Sequence, residues 1–251
     1  MFSSKIIEFQ HSKNASKILN DVLPEPASKL VPDWYKELKH SIKLKTVKGC
    51  IPFLDTLTSG YILKMPQDFL VNHNFYDERI KDFDSYFKFS YGAVADYVVQ
   101  KDLNLNTNNK EIHPTEQLGN KCPFHKKNKN LPYYKILNPF IIKTPPGYSC
   151  LFVPPLNNTD DRFSIIPGIV DTDSFPKEVN FPIIINGDKY PNLSTTIERG
   201  TPYVQVIPFK RDNWKMKITS YKDSKIEEFF LVNKSLINSY RKYFWKRKKW
   251  I

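Results

Sequence analysis

The residues from Thr144 to Phe209 form a series of short apolar runs, each bounded by proline, glycine, asparagine or aspartate. Runs rich in Val, Ile and Phe that are separated by such residues are typical of short β-strands joined by tight turns. The whole chain carries 19 prolines and only 8 glycines, and frequent proline disfavours long helices. The sequence therefore predicts a mainly β domain of the jelly-roll or β-clip type, from about residue 45 to residue 220.

The start of this domain predicts a β-hairpin. Two apolar runs, Cys50–Leu54 and Tyr61–Met65, flank the turn formers of Thr58-Ser59-Gly60, and this pattern favours two strands around a turn. Residues 84–100 add further strand and core material, since they contain several aromatic side chains.

Two flanking segments complete the predicted organisation. Residues 1–44 are expected to be helical or extended, with a short helix at 33–38 that has Pro32 near its first turn. Residues 221–251 are expected to form a longer helix with a basic tail, because Ser224 and Glu227 make a capping box. An apolar stripe at helical spacing predicts that this helix docks on the sheet; its members are Phe229, Val232, Leu236, Ile237, Tyr240 and Phe244.

The formal net charge of +12 is concentrated at the C-terminal end of the chain. The last eleven residues carry six positive charges and no acid, on Arg241, Lys242, Lys246, Arg247, Lys248 and Lys249. Trp245 and Trp250 lie among these cations, and aromatic rings between cations can stack on bases. The segment from Lys246 to Lys249 is therefore a candidate for weak polyanion contact, and the alternative is a solvated end that aids solubility.

The motifs of several common enzyme classes are missing from the sequence. It contains no phosphate-binding P-loop, no dinucleotide-binding glycine motif and no Gly-x-Ser-x-Gly elbow. Cys122 and His125 have the spacing of half a zinc site, but no second close pair follows, so neither metal nor cofactor is predicted. Three cysteines do not form a disulfide framework, and no run is long enough for a signal peptide or a membrane span. These features favour an intracellular, cytoplasmic protein.

The best candidate for chemistry is the carboxylate pair in Gly168-Ile-Val-Asp-Thr-Asp-Ser-Phe175. On an extended backbone Asp171 and Asp173 point to the same side, and such a pair is costly to bury without a ligand, a water or a cation. With Phe175 they suit a small polar ligand that bears hydroxyl groups, and Arg199 and Gln205 are candidates to support it. The alternative is a turn in which both aspartates accept backbone hydrogen bonds.

The same block, followed by Ile197 to Gln205, resembles the dUTPase and dCTP deaminase superfamily of β-clip proteins. That resemblance implies that Asp171 activates water as a general base and that Phe175 packs on a deoxyribose. It further implies that Gly200 and Gln205 belong to the next strand, which closes a nucleotide pocket.

Over nearly its full length the chain also resembles a family without an assigned activity, found in marine bacteria and tailed phages. Pro-Asp-Trp-Tyr from Pro32, Pro-Phe-Leu-Asp-Thr-Leu-Thr-Ser-Gly-Tyr from Pro52 and Thr-Pro-Pro-Gly-Tyr-Ser from Thr144 carry this resemblance. Two functions therefore stay open. One is binding, with possible hydrolysis, of a small polar ligand such as a nucleotide. The other is a non-enzymatic phage structural or assembly role. If the protein is phage-encoded, the expected location is the cytoplasm of the host cell. Neither function predicts an oligomeric state.

Overall fold

The computed structural model describes residues 5–13, 19–74, 112–113, 115–119, 121–128, 133–220 and 240–251. Across these ranges the secondary structure is mainly β, which confirms the predicted fold class. The strands are β1 (Glu8–Gln10), β2 (Glu25–Pro26), β3 (Tyr61–Lys64), β4 (Phe69–Asn74), β5 (Ile112–His113), β6 (Tyr133–Ile136), β7 (Ile141–Lys143), β8 (Tyr148–Val153), β9 (Phe163–Ile165), β10 (Gly168–Val170), β11 (Phe181–Ile185), β12 (Asn192–Ile197) and β13 (Pro202–Lys210).

The helices in the described ranges are short. They are α1 (Asp33–Glu37), α2 (Ile51–Thr58) and α3 (Pro123–Lys127), with 3₁₀ turns at Ala27–Lys29, Val47–Gly49 and Thr115–Leu118 and a π-helical turn at Tyr240–Phe244. Within the described ranges, no helix combines the length and the apolar character that crossing a bilayer requires.

Strand β13 is the centre of an antiparallel five-stranded sheet in the order β10-β8-β13-β3-β2. Gln205 pairs with Val153 of β8 on one side and with Ile62 of β3 on the other. Four consecutive residues of β13, from Tyr203 to Val206, are at most 1% exposed. Because successive strand residues point to opposite faces, this run shows that both faces of the sheet are covered at β13.

A second antiparallel sheet has the order β5-β6-β11-β9, and the pairs β1-β7 and β12-β4 lie outside the two larger sheets. Phe181 of β11 joins the two larger sheets: its ring centroid lies 5.3 Å from that of Phe152 in β8 and 5.8 Å from that of Tyr203 in β13. All three rings are almost fully buried. The two larger sheets therefore bury apolar side chains against each other.

The prediction of a strand at Cys50–Leu54 is wrong, because Ile51–Thr58 is helix α2. Pro52 lies in the first turn of α2, where a missing N–H leaves no hydrogen bond unmade. The helix buries Ile51 and Leu57. The prediction of a strand after Gly60 is confirmed, since β3 covers Tyr61–Lys64.

Gly60 joins α2 to β3 at a point where only glycine fits. Its φ is +69°, and a Cβ placed there would lie 2.1 Å from the carbonyl oxygen of Val206. The backbone of the α2–β3 junction therefore lies directly against the central strand β13.

The predicted short N-terminal helix is confirmed as α1. Tyr35 is its buried residue, and its ring stacks on Phe53 of α2 with centroids 5.8 Å apart. Lys48 lies over the Tyr35 ring and donates a hydrogen bond of 2.6 Å to the Tyr35 carbonyl oxygen. Residues 1–44 also supply β1 and β2, which pair with β7 and β3.

Some predictions fall outside the described residues. These are the strand material at 84–100 and the capping box and most of the apolar stripe of the longer C-terminal helix, at 224–237.

Candidate functional site

The first candidate is a cluster formed by Ser149, Asp171, Asp173 and Arg211, here called the arginine cluster. Strand order explains it. The pair Val170↔Cys150 places Asp171 beside Ser149, and the pair Lys210↔Tyr148 places Arg211 beside Gly147. The ends of β10 and β13 therefore meet at the beginning of β8, which lies between them.

Asp173 is the more enclosed carboxylate of the cluster, with its side chain 10% exposed. It accepts a hydrogen bond of 2.8 Å from the Gly147 backbone N–H and two from the Arg211 guanidinium, one of them at 3.0 Å. The hydrogen bond from Arg211, and after it the one from Gly147, lowers the pKa of Asp173 to about 2. The Asp173 carboxylate therefore stays ionised and engaged within the fold.

Asp171 is more open, with its side chain 63% exposed. One oxygen of its carboxylate accepts a hydrogen bond of 2.6 Å from the Ser149 hydroxyl and lies 3.3 Å from an Arg211 nitrogen. The chain turns directly after β10: the N–H groups of Ser174 and Phe175 donate to the Asp171 carbonyl oxygen at 3.1 and 2.9 Å. Of the two carboxylates, Asp173 accepts a backbone hydrogen bond, as the turn alternative expects, whereas the Asp171 carboxylate contacts the side chains of Ser149 and Arg211.

The layer beneath the turn is buried and polar. The hydroxyls of Thr144 and Thr172 lie 2.7 Å apart, and Thr172 donates to the Cys150 sulfur at 3.3 Å. Burial raises the pKa of the Cys150 thiol to about 11. This cysteine is therefore protonated at neutral pH and is not a ready nucleophile.

The other predicted site residues contact different elements. Phe175 ends the turn with 37% of its surface exposed. Arg199 lies outside the arginine cluster and forms an ion pair with Asp21. Its backbone N–H donates a hydrogen bond of 2.7 Å to Asp68. Gln205 is 1% exposed, and its amide joins β13 to the end of α2 and to Leu156.

Among the predicted site residues the structure thus brings Asp171, Asp173 and Phe175 together on one turn. Arg211 and Ser149 are the partners that the sequence did not reveal, since Arg211 follows Asp173 by 38 residues. None of these residues lines the groove of about 500 Å³ that is described next.

The second candidate is a groove between α2 and the C-terminal segment 240–251, here called the basic groove. Its volume is about 500 Å³, within the usual range for ligand sites. Four cations and two tryptophans of the C-terminal segment line it: Arg241, Arg247, Lys248, Lys249, Trp245 and Trp250. From the rest of the chain it is lined by Ser28, Leu54, Asp55 and Thr58.

Asp55 of α2 holds the C-terminal segment in place. Its two carboxylate oxygens accept hydrogen bonds from the Trp245 indole N–H at 3.1 and 3.2 Å, and one of them also forms an ion pair with Lys248. At the far end, the Tyr61 hydroxyl donates to the Ile251 carbonyl oxygen at 3.2 Å. The Tyr61 ring meets that of Trp250 edge to face at 6.1 Å.

The basic groove carries an excess of positive charge. Among the described residues that line it, Asp55 is the acidic side chain, and Lys248 forms an ion pair with it. Arg241, Arg247 and Lys249 are exposed, and no second acidic side chain among the described lining residues offsets their charges. A groove lined in this way attracts anions.

Neither the arginine cluster nor the basic groove groups three potential metal ligands among the described residues. In the described ranges, no group of three or more His, Cys, Asp or Glu side chains is arranged to hold a metal ion. His125 is buried, and its Nδ1 lies 3.1 Å from the Tyr133 hydroxyl.

Comparisons with known proteins identify no relative: neither a scan against protein-family models nor a search of curated proteins gives a match. The resemblances to the dUTPase superfamily and to the marine bacterial and phage family stay predictions.

Proposed function

We propose that the protein binds a phosphate-bearing ligand, a nucleotide or a short stretch of single-stranded nucleic acid, in the basic groove. The observation that carries the proposal is the lining of the groove. Cations from Arg241 to Lys249 line a concave space in which the acidic side chain among the described residues, Asp55, is already paired with Lys248. Guanidinium groups match phosphate oxygens in geometry and stay charged at any physiological pH.

The two indoles of the groove favour a base over a simple inorganic anion. Trp245 and Trp250 are half-buried rings among the cations. Stacking of a base on an aromatic ring contributes about 1–3 kcal/mol and depends little on the base. The proposed ligand therefore combines a phosphate with a flat ring.

Hydrolysis has weaker support than binding. The sequence predicts Asp171 as a general base, and that role stays a prediction. Asp171 and Asp173 are held by Arg211 on a turn, and neither lines the basic groove. The geometry supports a binding protein whose arginine cluster stabilises the junction of β8, β10 and β13.

A salt-dependent binding measurement tests the proposal. A labelled single-stranded oligonucleotide is titrated with the protein and followed by fluorescence anisotropy at several salt concentrations. Each phosphate contact contributes about −0.7 to the slope of log K against log salt. The three groove cations that are not paired with an acid, Arg241, Arg247 and Lys249, predict a slope of about −2, and Arg247→Gln with Lys249→Gln should reduce it to about −0.7.

The matched control is the pair Lys43→Gln and Lys177→Gln, which removes the same charge from exposed positions elsewhere. The control should bind as the wild type does. Equal weakening by both pairs would show that net charge alone drives binding, and it would remove the groove from the proposal.

The second candidate function is a non-enzymatic assembly role, within a phage particle if the family resemblance holds. The observation in its favour is the apolar surface exposed on residues 211–220, where Trp214 is 91% exposed. An assembly protein would use such a surface to join other chains.

A further inference from the structure

Residues 211–220, here called the arm, follow β13 and are exposed at every position. Three large apolar side chains alternate along the arm with polar ones: Trp214 is 91% exposed, Met216 84% and Ile218 86%. Lys215 and Lys217 occupy the positions between them. Alternation of period two is the pattern of a strand with one apolar face. Several large apolar side chains exposed side by side mark an interaction surface.

The base of the arm is fixed. The Arg211 backbone N–H donates to the Gly147 carbonyl oxygen at 2.8 Å, and the Arg211 guanidinium binds Asp173 and lies 3.3 Å from Asp171. These contacts place the beginning of the arm at the end of strand β10. The arm therefore leaves the domain from a defined point.

Strand β10 offers an edge next to that point. Among the described strands it pairs with β8 only, which leaves its other side without a strand partner there. Ile169 at the middle of β10 is 63% exposed. Such an edge presents backbone donors and acceptors to an added strand. Exposed Asp171 and Glu178 lie just after it in the chain.

We propose that the arm of one copy adds as a strand to the β10 edge of a second copy, reciprocally, so that the protein is a two-fold symmetric dimer. The base of the arm and the edge of β10 are neighbours on each copy. A single two-fold axis at this place therefore lets each arm pair with the β10 edge of the other copy. A second copy is therefore the partner that these features fit.

The test measures molar mass by light scattering after size-exclusion chromatography. The wild type should have twice the chain mass of 29.5 kDa. The arm variant Trp214→Ser/Met216→Ser/Ile218→Ser should have the mass of one chain and an unchanged circular dichroism spectrum, since these side chains are exposed within the chain. The control Lys215→Ser/Lys217→Ser keeps the apolar face and should remain largely dimeric.

A complementation experiment tests the position of the contact. Ile169→Lys should also give a monomer, because it places a cation at the edge that receives the lysines. A mixture of the arm variant with Ile169→Lys should regain dimer, since such a pair has one intact arm and one intact edge.

A monomeric wild type overturns the proposal, including the case in which the arm folds onto its own chain. It is equally overturned by an arm variant that stays dimeric, by a control that dissociates as fully as the arm variant, or by a mixture that stays as monomeric as its components.

Discussion

Replacing Gln205 by methionine separates a structural role of this residue from the ligand-binding role that the sequence predicts. Gln205 is 1% exposed on the central strand. Its amide nitrogen donates to the carbonyl oxygens of Thr56 and Ser59 at 2.9 and 2.6 Å, and its amide oxygen accepts from the Leu156 N–H at 2.8 Å. Methionine has a similar length and volume and can make none of these three hydrogen bonds.

The expected loss of stability follows from those three bonds. A hydrogen bond contributes about 1 kcal/mol net, and a buried partner that loses its bond costs about 1–3 kcal/mol. Gln205→Met should therefore lower the free energy of unfolding by about 3 kcal/mol. Because the side chain keeps its volume, cavity formation adds little to this figure.

The assay is equilibrium unfolding in urea, with the control Gln117→Met at an exposed position. With a slope of about 3 kcal/mol per molar urea, the midpoint of Gln205→Met should fall by about 1 M at an unchanged slope. The control midpoint should move by less than a fifth of that. If Gln205→Met unfolds at the wild-type midpoint and instead loses nucleotide binding, the structural assignment is refuted.

Three further predictions concern the turns and carboxylates. Gly60→Ala should destabilise the protein by several kcal/mol more than Gly200→Ala does, measured by urea unfolding. Both glycines have positive φ, but a new Cβ meets the Val206 oxygen only at position 60. Asp173→Asn should make the free energy of unfolding fall less steeply as the pH is lowered. The folded-state pKa of Asp173 is about 2, below the ordinary 3.8. Its carboxylate therefore stabilises the fold above about pH 4, and this contribution is lost as the pH falls towards 2. An equally steep acid transition in the variant would contradict this. Asp171→Asn should leave nucleotide binding unchanged in a titration, and a large loss of affinity would instead favour the carboxylate site.

The pattern of apolar runs and turn formers is sufficient to predict the β class, because the apolar residues of a strand such as β8 or β13 lie within one short segment of the sequence. The same reasoning is wrong for α2. Ile51 to Leu54 is too short an apolar run for periodicity to distinguish a strand from a buried helix, and contacts with α1 and β13 decide between them.

The two candidate sites illustrate what local sequence leaves out. Asp171 and Asp173 are conspicuous in the sequence, but their partner Arg211 is brought to them by the order of three strands. The cations and tryptophans near the C-terminus are conspicuous as well. Their groove exists because Asp55 binds Trp245 and Lys248 across 190 and 193 residues of chain, and no spacing rule reports a contact of that range.

The indole N–H signals of the four tryptophans provide the most direct test of the proposed groove. Each signal is assigned in a two-dimensional ¹⁵N–¹H spectrum by a single Trp→Phe substitution, and a nucleoside triphosphate or a short single-stranded oligonucleotide is then titrated. Binding in the groove predicts saturable chemical-shift changes of the Trp245 and Trp250 signals, while the signals of Trp34 and Trp214 do not change. Unchanged signals from Trp245 and Trp250 at saturating ligand would contradict the proposed function.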